Sequence, residues 1–260
     1  MDRRTFLAAT SVAGLAPLSL CSAAEDAAKG NRDYYELRQY QIETEAQKKL
    51  FDAHMKEAAI PALNRAGVKP VGVFYPQEGL SPVYVLLRHK SLEALALIDD
   101  RLMADAEYVS QGAALLDAPA AAPAFKRLES ALMVAFRGMP ELETPVTNPG
   151  RVLQLRIYES PSVKTGRKKI EMFNDAGEIA IFRRVGLNPV FFSQTLVGPK
   201  MPNLTYMLAF SSMDAQKAAW QKFREDPEWL KLRAIPEYSD KVVLCGVTNL
   251  LLQPADYSQI

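Results

Sequence analysis

The sequence predicts an α+β fold in which two ferredoxin-like βαββαβ repeats close on each other within one chain. Three internal matches carry that reading. Tyr35-Glu36-Leu37-Arg38-Gln39-Tyr40 is echoed by Leu153-Gln154-Leu155-Arg156-Ile157-Tyr158. The stretch from Ile60 through Gly67 to Val71 aligns with that from Ile179 through Gly186 to Val190, and Asp105-Ala106-Glu107-Tyr108 aligns with Asp226-Pro227-Glu228-Trp229. The offset stays near ~120 residues throughout, which marks a duplicated domain rather than a solenoid of short repeats.

Each half gives the same order of elements. In the first, Tyr34–Gln41 reads as a strand and Glu45–Ala66 as a helix stopped by Gly67, a favoured residue just past a helix end. Val71–Tyr75 and Val83–Arg88 are β-branched and aromatic runs split by Pro76-Gln77-Glu78-Gly79, the pattern of a hairpin. Ser91 suits the N-cap of a helix over Leu92–Met103, Asp105 caps a further turn or two, and Ala131–Phe136 supplies the last strand. In the second half the strands are Val152–Tyr158, Val190–Leu196, Thr205–Phe210 and Val243–Leu252. A helix is expected over Lys168–Val185 and another from Ser212. Asp226-Pro227-Glu228 starts one more, with a cap, a proline at the first helical position and an acid in the first turn. Ala113–Pro123 reads as an Ala/Pro spacer, and the prolines of 139–150 mark a linker between repeats at 33–138 and 151–260.

Side chains alternate along a strand, so Leu153, Leu155 and Ile157 share one face while Gln154, Arg156 and Tyr158 share the other. If the apolar face lies under the helices, the polar face of each sheet points at its twin. Two such sheets closing on each other form a dimeric-α/β-barrel-type pseudo-dimer with helices outside.

The first 24 residues read as an address. Arg3-Arg4, Phe6-Leu7, an apolar run to Leu20 and the small residues Ser22-Ala23-Ala24 follow the order of an export signal. Asp2 to Ala8 is similar to the twin-arginine pattern, with cleavage expected near Ala24 and a periplasmic or secreted destination. The apolar run is shorter than the ~20 residues of a spanning helix and contains Gly14 and Pro17, so no stable membrane insertion is expected after cleavage. Cys21 raises a lipoprotein alternative, which Leu20 before it disfavours. Cys245 is then the only cysteine, so no intramolecular disulfide can form.

Composition is that of an ordinary soluble domain protein, 48% hydrophobic and 23% charged. Loss of Asp2, Arg3 and Arg4 with the signal takes the formal charge from +1 to zero. No basic block suggests nucleic acid. Lys164, Arg167, Lys168 and Lys169 form a short basic run that reads as a solvated loop, and His89 as a solvated turn residue. With two histidines in the chain, no histidine-rich metal site is expected. Phosphate-cradling glycine loops and nucleophile elbows are missing.

The candidate ligand-binding residues are the paired positions Glu36 and Gln154, Arg38 and Arg156, Tyr40 and Tyr158. A guanidinium inside a closed barrel requires a carboxylate, a phosphate or water, because an unpaired buried charge costs several kcal/mol. Either Glu36 and other acids neutralise the arginines, or the arginines hold a small anionic or polar ligand that the tyrosine hydroxyls orient. His54, beside the apolar stripe of the first helix, is the candidate general base. It is also the candidate ligand of a haem, the alternative to having no cofactor. Its alignment with Phe173 and the lack of a nearby acidic partner favour plain packing. Trp220, Phe223 and Trp229 stand at helical spacings that suit a core or an interface. The competing reading is a non-catalytic interaction module with a filled barrel, and a homo-oligomer is compatible with either.

Glu36-Leu37-Arg38-Gln39-Tyr40, Arg65-Ala66-Gly67, Asp226-Pro227-Glu228-Trp229 and the tandem duplication together resemble the NIPSNAP family from Asp33 to the C-terminus. The first half departs from the pattern with Ala106 and Tyr108 where the second has Pro227 and Trp229. The resemblance implies the barrel fold and hands over no catalytic residues. It also associates animal members with mitochondria and vesicles, a poor guide for a chain that carries a bacterial-type export signal.

Overall fold

The computed structural model describes residues 32–260. The expected signal at 1–24 lies outside the described residues. Eight antiparallel strands close into a barrel: β1 (Tyr34–Gln41), β2 (Gly72–Pro76), β3 (Val83–His89), β4 (Arg127–Ala135), β5 (Val152–Glu159), β6 (Pro189–Val197), β7 (Asn203–Phe210) and β8 (Gly246–Pro254). Their order around the barrel is β1-β3-β2-β8-β5-β7-β6-β4, returning to β1. Each half therefore contributes four adjacent strands in the same relative order. The halves join at two seams, β2 to β8 (Phe74 opposite Pro254, Pro76 opposite Leu252) and β4 to β6 (Val134 opposite Gln194).

Helices cover the outside. In the first half α1 (Glu45–His54) begins at Thr44, whose side chain accepts from the Gln47 amide. It runs through a π-helical turn at Met55–Ala59 into α2 (Ile60–Arg65). Pro61 has no N–H to give the regular ladder, and the wider turn just before it carries the helix past that gap. Gly67 ends the run at φ +87°, as its position predicts. The helix expected over Leu92–Met103 is broken at Leu97 into α3 (Leu92–Ala96) and α4 (Ile98–Met103). The turn or two expected after Asp105 is a full helix, α5 (Ala106–Leu116). It takes in the start of the supposed Ala/Pro spacer, because Ala113 to Leu116 are strong helix formers and Leu115 and Leu116 pack onto the first-half core.

In the second half α6 (Val163–Asn174) opens on a reciprocal Ser162/Thr165 capping box, and α7 (Glu178–Val185) follows after Gly177 at φ +93°. The single helix expected there is two. α8 (Met213–Glu225) starts at Ser212 and α9 (Pro227–Arg233) at Asp226, both as the caps predict. A 3₁₀ turn at Pro236–Tyr238 and a short α10 (Asp240–Val243) occupy residues expected partly in the last strand. Among the described residues no helix is long and apolar enough to cross a membrane.

Three apolar clusters fill the protein. One lies between the first-half sheet and α1, α2, α4 and α5, and one between the second-half sheet and α6 to α9. The third fills the barrel itself, with Tyr35, Leu37, Phe74 and Leu86 meeting Leu153, Leu155, Phe191 and Met207. Tyr35 of β1 and Phe191 of β6 touch across the halves, ring centres 5.0 Å apart. One end is sealed by the inter-repeat segment. Leu142 enters the barrel core and its amide donates to Asp33, a buried carboxylate that also pairs with Arg88 at 2.6 Å and Lys90 at 3.0 Å.

This overturns the expected facing of the strands. The alternation is as predicted, but Leu153 and Leu155 point into the barrel while Gln154, Arg156 and Tyr158 lie under the helices. An eight-stranded barrel is narrow enough to be filled by its own side chains, and the driest space takes the apolar face. Charged groups sit instead in the sheet–helix layer, whose edges reach water.

Candidate functional site

The paired residues form two separate groups with different chemistry. On the first half, Arg38 is neutralised. Its Nε donates to Glu36 Oε1 at 2.7 Å and its Nη2 to Asp99 Oδ1 at 3.2 Å. Ser130 also donates to Glu36, and the His89 ring stands 3.7 Å from its other oxygen. Burial alone would push the Glu36 carboxyl up; the neighbouring His89, Arg38 and Ser130 hold it down at about 2. Tyr40 packs between Phe51 and Phe125, ring centres 4.9 and 5.2 Å away.

On the second half, both acids are replaced. Glu36 corresponds to Gln154 along the repeated strand, and Asp99, eight residues after the cap Ser91 and in α4, corresponds to Trp220, eight residues after the cap Ser212. Strand register places Asn249 opposite Arg156 as Ser130 lies opposite Arg38. The Gln154 side-chain oxygen accepts from Trp220 Nε1 at 2.7 Å and from Gln216 at 3.4 Å, while its amide nitrogen donates to Asn249 at 2.7 Å. The Gln154 oxygen thus already accepts two hydrogen bonds and offers Arg156 none. The Arg156 guanidinium carbon lies 4.7 Å from the Trp220 ring centre and 5.2 Å from that of Tyr158. Its Nε is buried without a hydrogen-bond partner, and among the described residues no carboxylate forms an ion pair with it. Aromatic faces stabilise a cation by ~1–2 kcal/mol but leave its N–H groups unsatisfied.

Arg156 lines a cavity of about 440 Å³ between the sheet and α8 and α9. Gln154, Asn249, Gln216, Trp220, Phe223 and Trp229 form its walls, with Lys217, Arg224 and Arg233 around it and Asp240 the single acid. Behind Trp229 lies a buried ion pair, Lys169 Nζ to Glu178 Oε2 at 3.3 Å. Burial pushes the Glu178 carboxyl up against the pull of Lys169. The phenols of Tyr158 and Tyr206, hydrogen-bonded at 2.9 Å, are also raised by burial and stay neutral. The cavity is therefore electropositive and aromatic-walled.

Of the sequence-predicted residues, Gln154 and Arg156 line this cavity and Tyr158 lies buried against Arg156, while Glu36, Arg38 and Tyr40 form the closed counterpart. The two arginines do not share a site, because each lies under the helices of its own half. His54 is in neither group: it is buried, edge-on to Tyr108 with ring centres 5.6 Å apart, and stacked against Gly112 in the α1–α5 contact. Burial lowers its pKa, and its contacts with Tyr108 and Gly112 are those of a packed residue. His89 is not a solvated turn residue; it is 1% exposed beside Glu36. The basic run at 164–169 is the first turns of α6, with Lys169 buried rather than solvated. Sequence reasoning assigned Trp220 to a core or an interface and missed Gln216, Asn249, Arg224 and Arg233. A signal for three of them was present: Gln216, Trp220 and Arg224 recur at four-residue spacing and so share one helix face.

Comparison with known proteins agrees with this architecture. The NIPSNAP family model matches residues 35–135 and 153–259. Among solved structures, a candidate monooxygenase from Lactobacillus acidophilus is similar at 10% identity and TM-score 0.58, over 86% of this chain and 94% of that one. Another candidate monooxygenase, from Fusobacterium nucleatum, is similar at 8% identity and TM-score 0.56, over 86% and 92%. A NIPSNAP family protein from Agrobacterium tumefaciens is 24% identical over 42% of this chain and 98% of its own, with TM-score 0.38. No curated protein matches the sequence.

Proposed function

Since the chain belongs to the NIPSNAP family, whose duplicated fold here leaves one arginine neutralised and the other not, we propose that it binds a small anionic molecule in the second-half cavity. Two ferredoxin-like units then carry different duties, the first closed by its own acids and the second open to a ligand. The observation that supports this most is Arg156, uncompensated under Trp220 and facing a 440 Å³ cavity. A guanidinium held between aromatic rings keeps its planar donors aligned for a carboxylate or phosphate. The site lies in the sheet–helix layer, not in the barrel interior, which is filled. That filled interior also suits the interaction-module reading, but docking through the outer helices gives Arg156 no role.

The proposal includes export through the twin-arginine route and needs no cofactor. Calorimetric titration with benzoate and with inorganic phosphate tests the binding. Saturable heat from one of them in the wild type, lost in Arg156→Gln, is the expected result. No saturable binding of either anion, or binding that survives Arg156→Gln, would remove the reading.

A further inference from the structure

The cavity carries a second cationic end. Arg156 stacks on Trp220, and Arg233 lies over Trp229 with its guanidinium carbon 5.8 Å from the ring centre. Between the two indoles stands Phe223, its ring centre 5.5 Å from that of Trp220 and 4.3 Å from that of Trp229. All five residues line the one cavity. The result is a continuous aromatic wall with an arginine at each end, the inner one half-buried and the outer one exposed to solvent. Of this arrangement the first half keeps only the inner arginine, as Arg38, and an aromatic ring, Tyr108, at the place of Trp229. Repeat alignment sets Asp99 at Trp220, Leu102 at Phe223, Tyr108 at Trp229 and Gly112 at Arg233.

We infer that the ligand is an apolar, planar molecule with an anionic group at both ends, of the aromatic dicarboxylate class. This rests on the reading of the cavity as a ligand site and names what that site selects. A single anion needs only Arg156. An aromatic wall satisfies a flat apolar body, which shields the Arg156 contact from water and so strengthens it. The outer arginine, together with Arg224 and Lys217, then gives a second anion a partner, with Asp240 the only opposing charge on the cavity wall. A ligand with one anionic end leaves that cationic rim unmatched, and one without an apolar body leaves the half-buried Trp220 ring without a partner on its cavity side.

The molecule supplies its own reporter. Its sequence holds two tryptophans, Trp220 and Trp229, and both line this cavity, so intrinsic tryptophan fluorescence reads the site directly. The full-length mature protein is titrated with benzoate, terephthalate, biphenyl monocarboxylate and biphenyl dicarboxylate at low ionic strength. At least one dicarboxylate is expected to bind about fivefold more tightly than its monocarboxylate, the upper range for a solvent-exposed charge pair. Arg233→Gln should erase that difference by weakening the dicarboxylates more than the monocarboxylates, and added salt should shrink it. Arg156→Gln should abolish all four. Equal affinity for mono- and dicarboxylates, or a preference that survives Arg233→Gln, overturns the two-ended ligand and leaves the anion site standing. No fluorescence response to any of the four overturns both.

Discussion

Trp220 and Gln154 are locked together at 2.7 Å, indole N–H to amide oxygen, and this contact takes up an acceptor that the neighbouring Arg156 would otherwise face. On the first half the residue at the position of Gln154 is Glu36, which gives its oxygen to Arg38 instead. Gln154→Glu should therefore recreate the closed state. The new carboxylate can accept from Trp220 and from Arg156 together, so the thermal midpoint should hold or rise. Anion binding should fall at least tenfold, since an internal carboxylate removes on the order of 1.4 kcal/mol or more of ligand attraction. Tight binding retained by a well-folded Gln154→Glu protein would break the link between arginine neutralisation and function.

Glu36 makes a separate prediction about acid stability. Its carboxyl titrates at about 2 in the folded protein against an ordinary 4.5. A depressed carboxylate contributes stability that is fully present above the unfolded value and is lost as pH falls through the folded one. The contribution is on the order of 3 kcal/mol at neutral pH. Urea unfolding of Glu36→Gln should show a loss of that order at pH 7, with the gap to wild type closing between pH 4.5 and 2. A gap that stays constant with pH would mean the loss is one of packing rather than charge.

The contrast between these two positions also shows what a sequence can and cannot disclose. Strand alternation and cap residues such as Ser212 and Asp226 are local, and they placed the strands and those two helix starts within a few residues, whereas the helices expected over Leu92–Met103 and Lys168–Val185 are each two. The facing of the strands is not local. Leu153 and Arg156 alternate in any arrangement, and only the competition between a narrow barrel interior and a sheet–helix layer decides which side each takes. The likeness of Arg38 and Arg156 drew attention to both as equals. What distinguishes them lies in Asp99 and Trp220, far along the chain and brought close only by folding. His89 was misread for the same reason: a residue at a strand end looks solvated until the opposite strand places Glu36 beside it.

Export can be tested without the structure. The proposed export rests on Arg3 and Arg4 ahead of Phe6 and Leu7, which resemble the twin-arginine pattern. Replacing both with lysine keeps the charge and should leave uncleaved precursor in the cytoplasm. Fractionation and mass of the product distinguish the outcomes, and normal export of the lysine pair would assign the signal to another route.

The barrel's two seams make the last prediction. β2 finds its outer neighbour only in β8 and β4 only in β6, so each half alone would bare two strand edges. It would also bare its share of the barrel core, where Tyr35 would lose Phe191 and Leu37 its apolar surroundings. Unpaired edges and an exposed apolar sheet face drive association with the nearest match, and for an isolated first half that match is a second copy. Because both halves share one strand order, β2 of one copy can pair with β4 of the other and restore eight strands. A chain spanning residues 32–150 should therefore sediment as a dimer or aggregate, with a thermal midpoint that rises with protein concentration. A monomer that unfolds cooperatively at a concentration-independent temperature would show that the halves do not depend on each other for their cores.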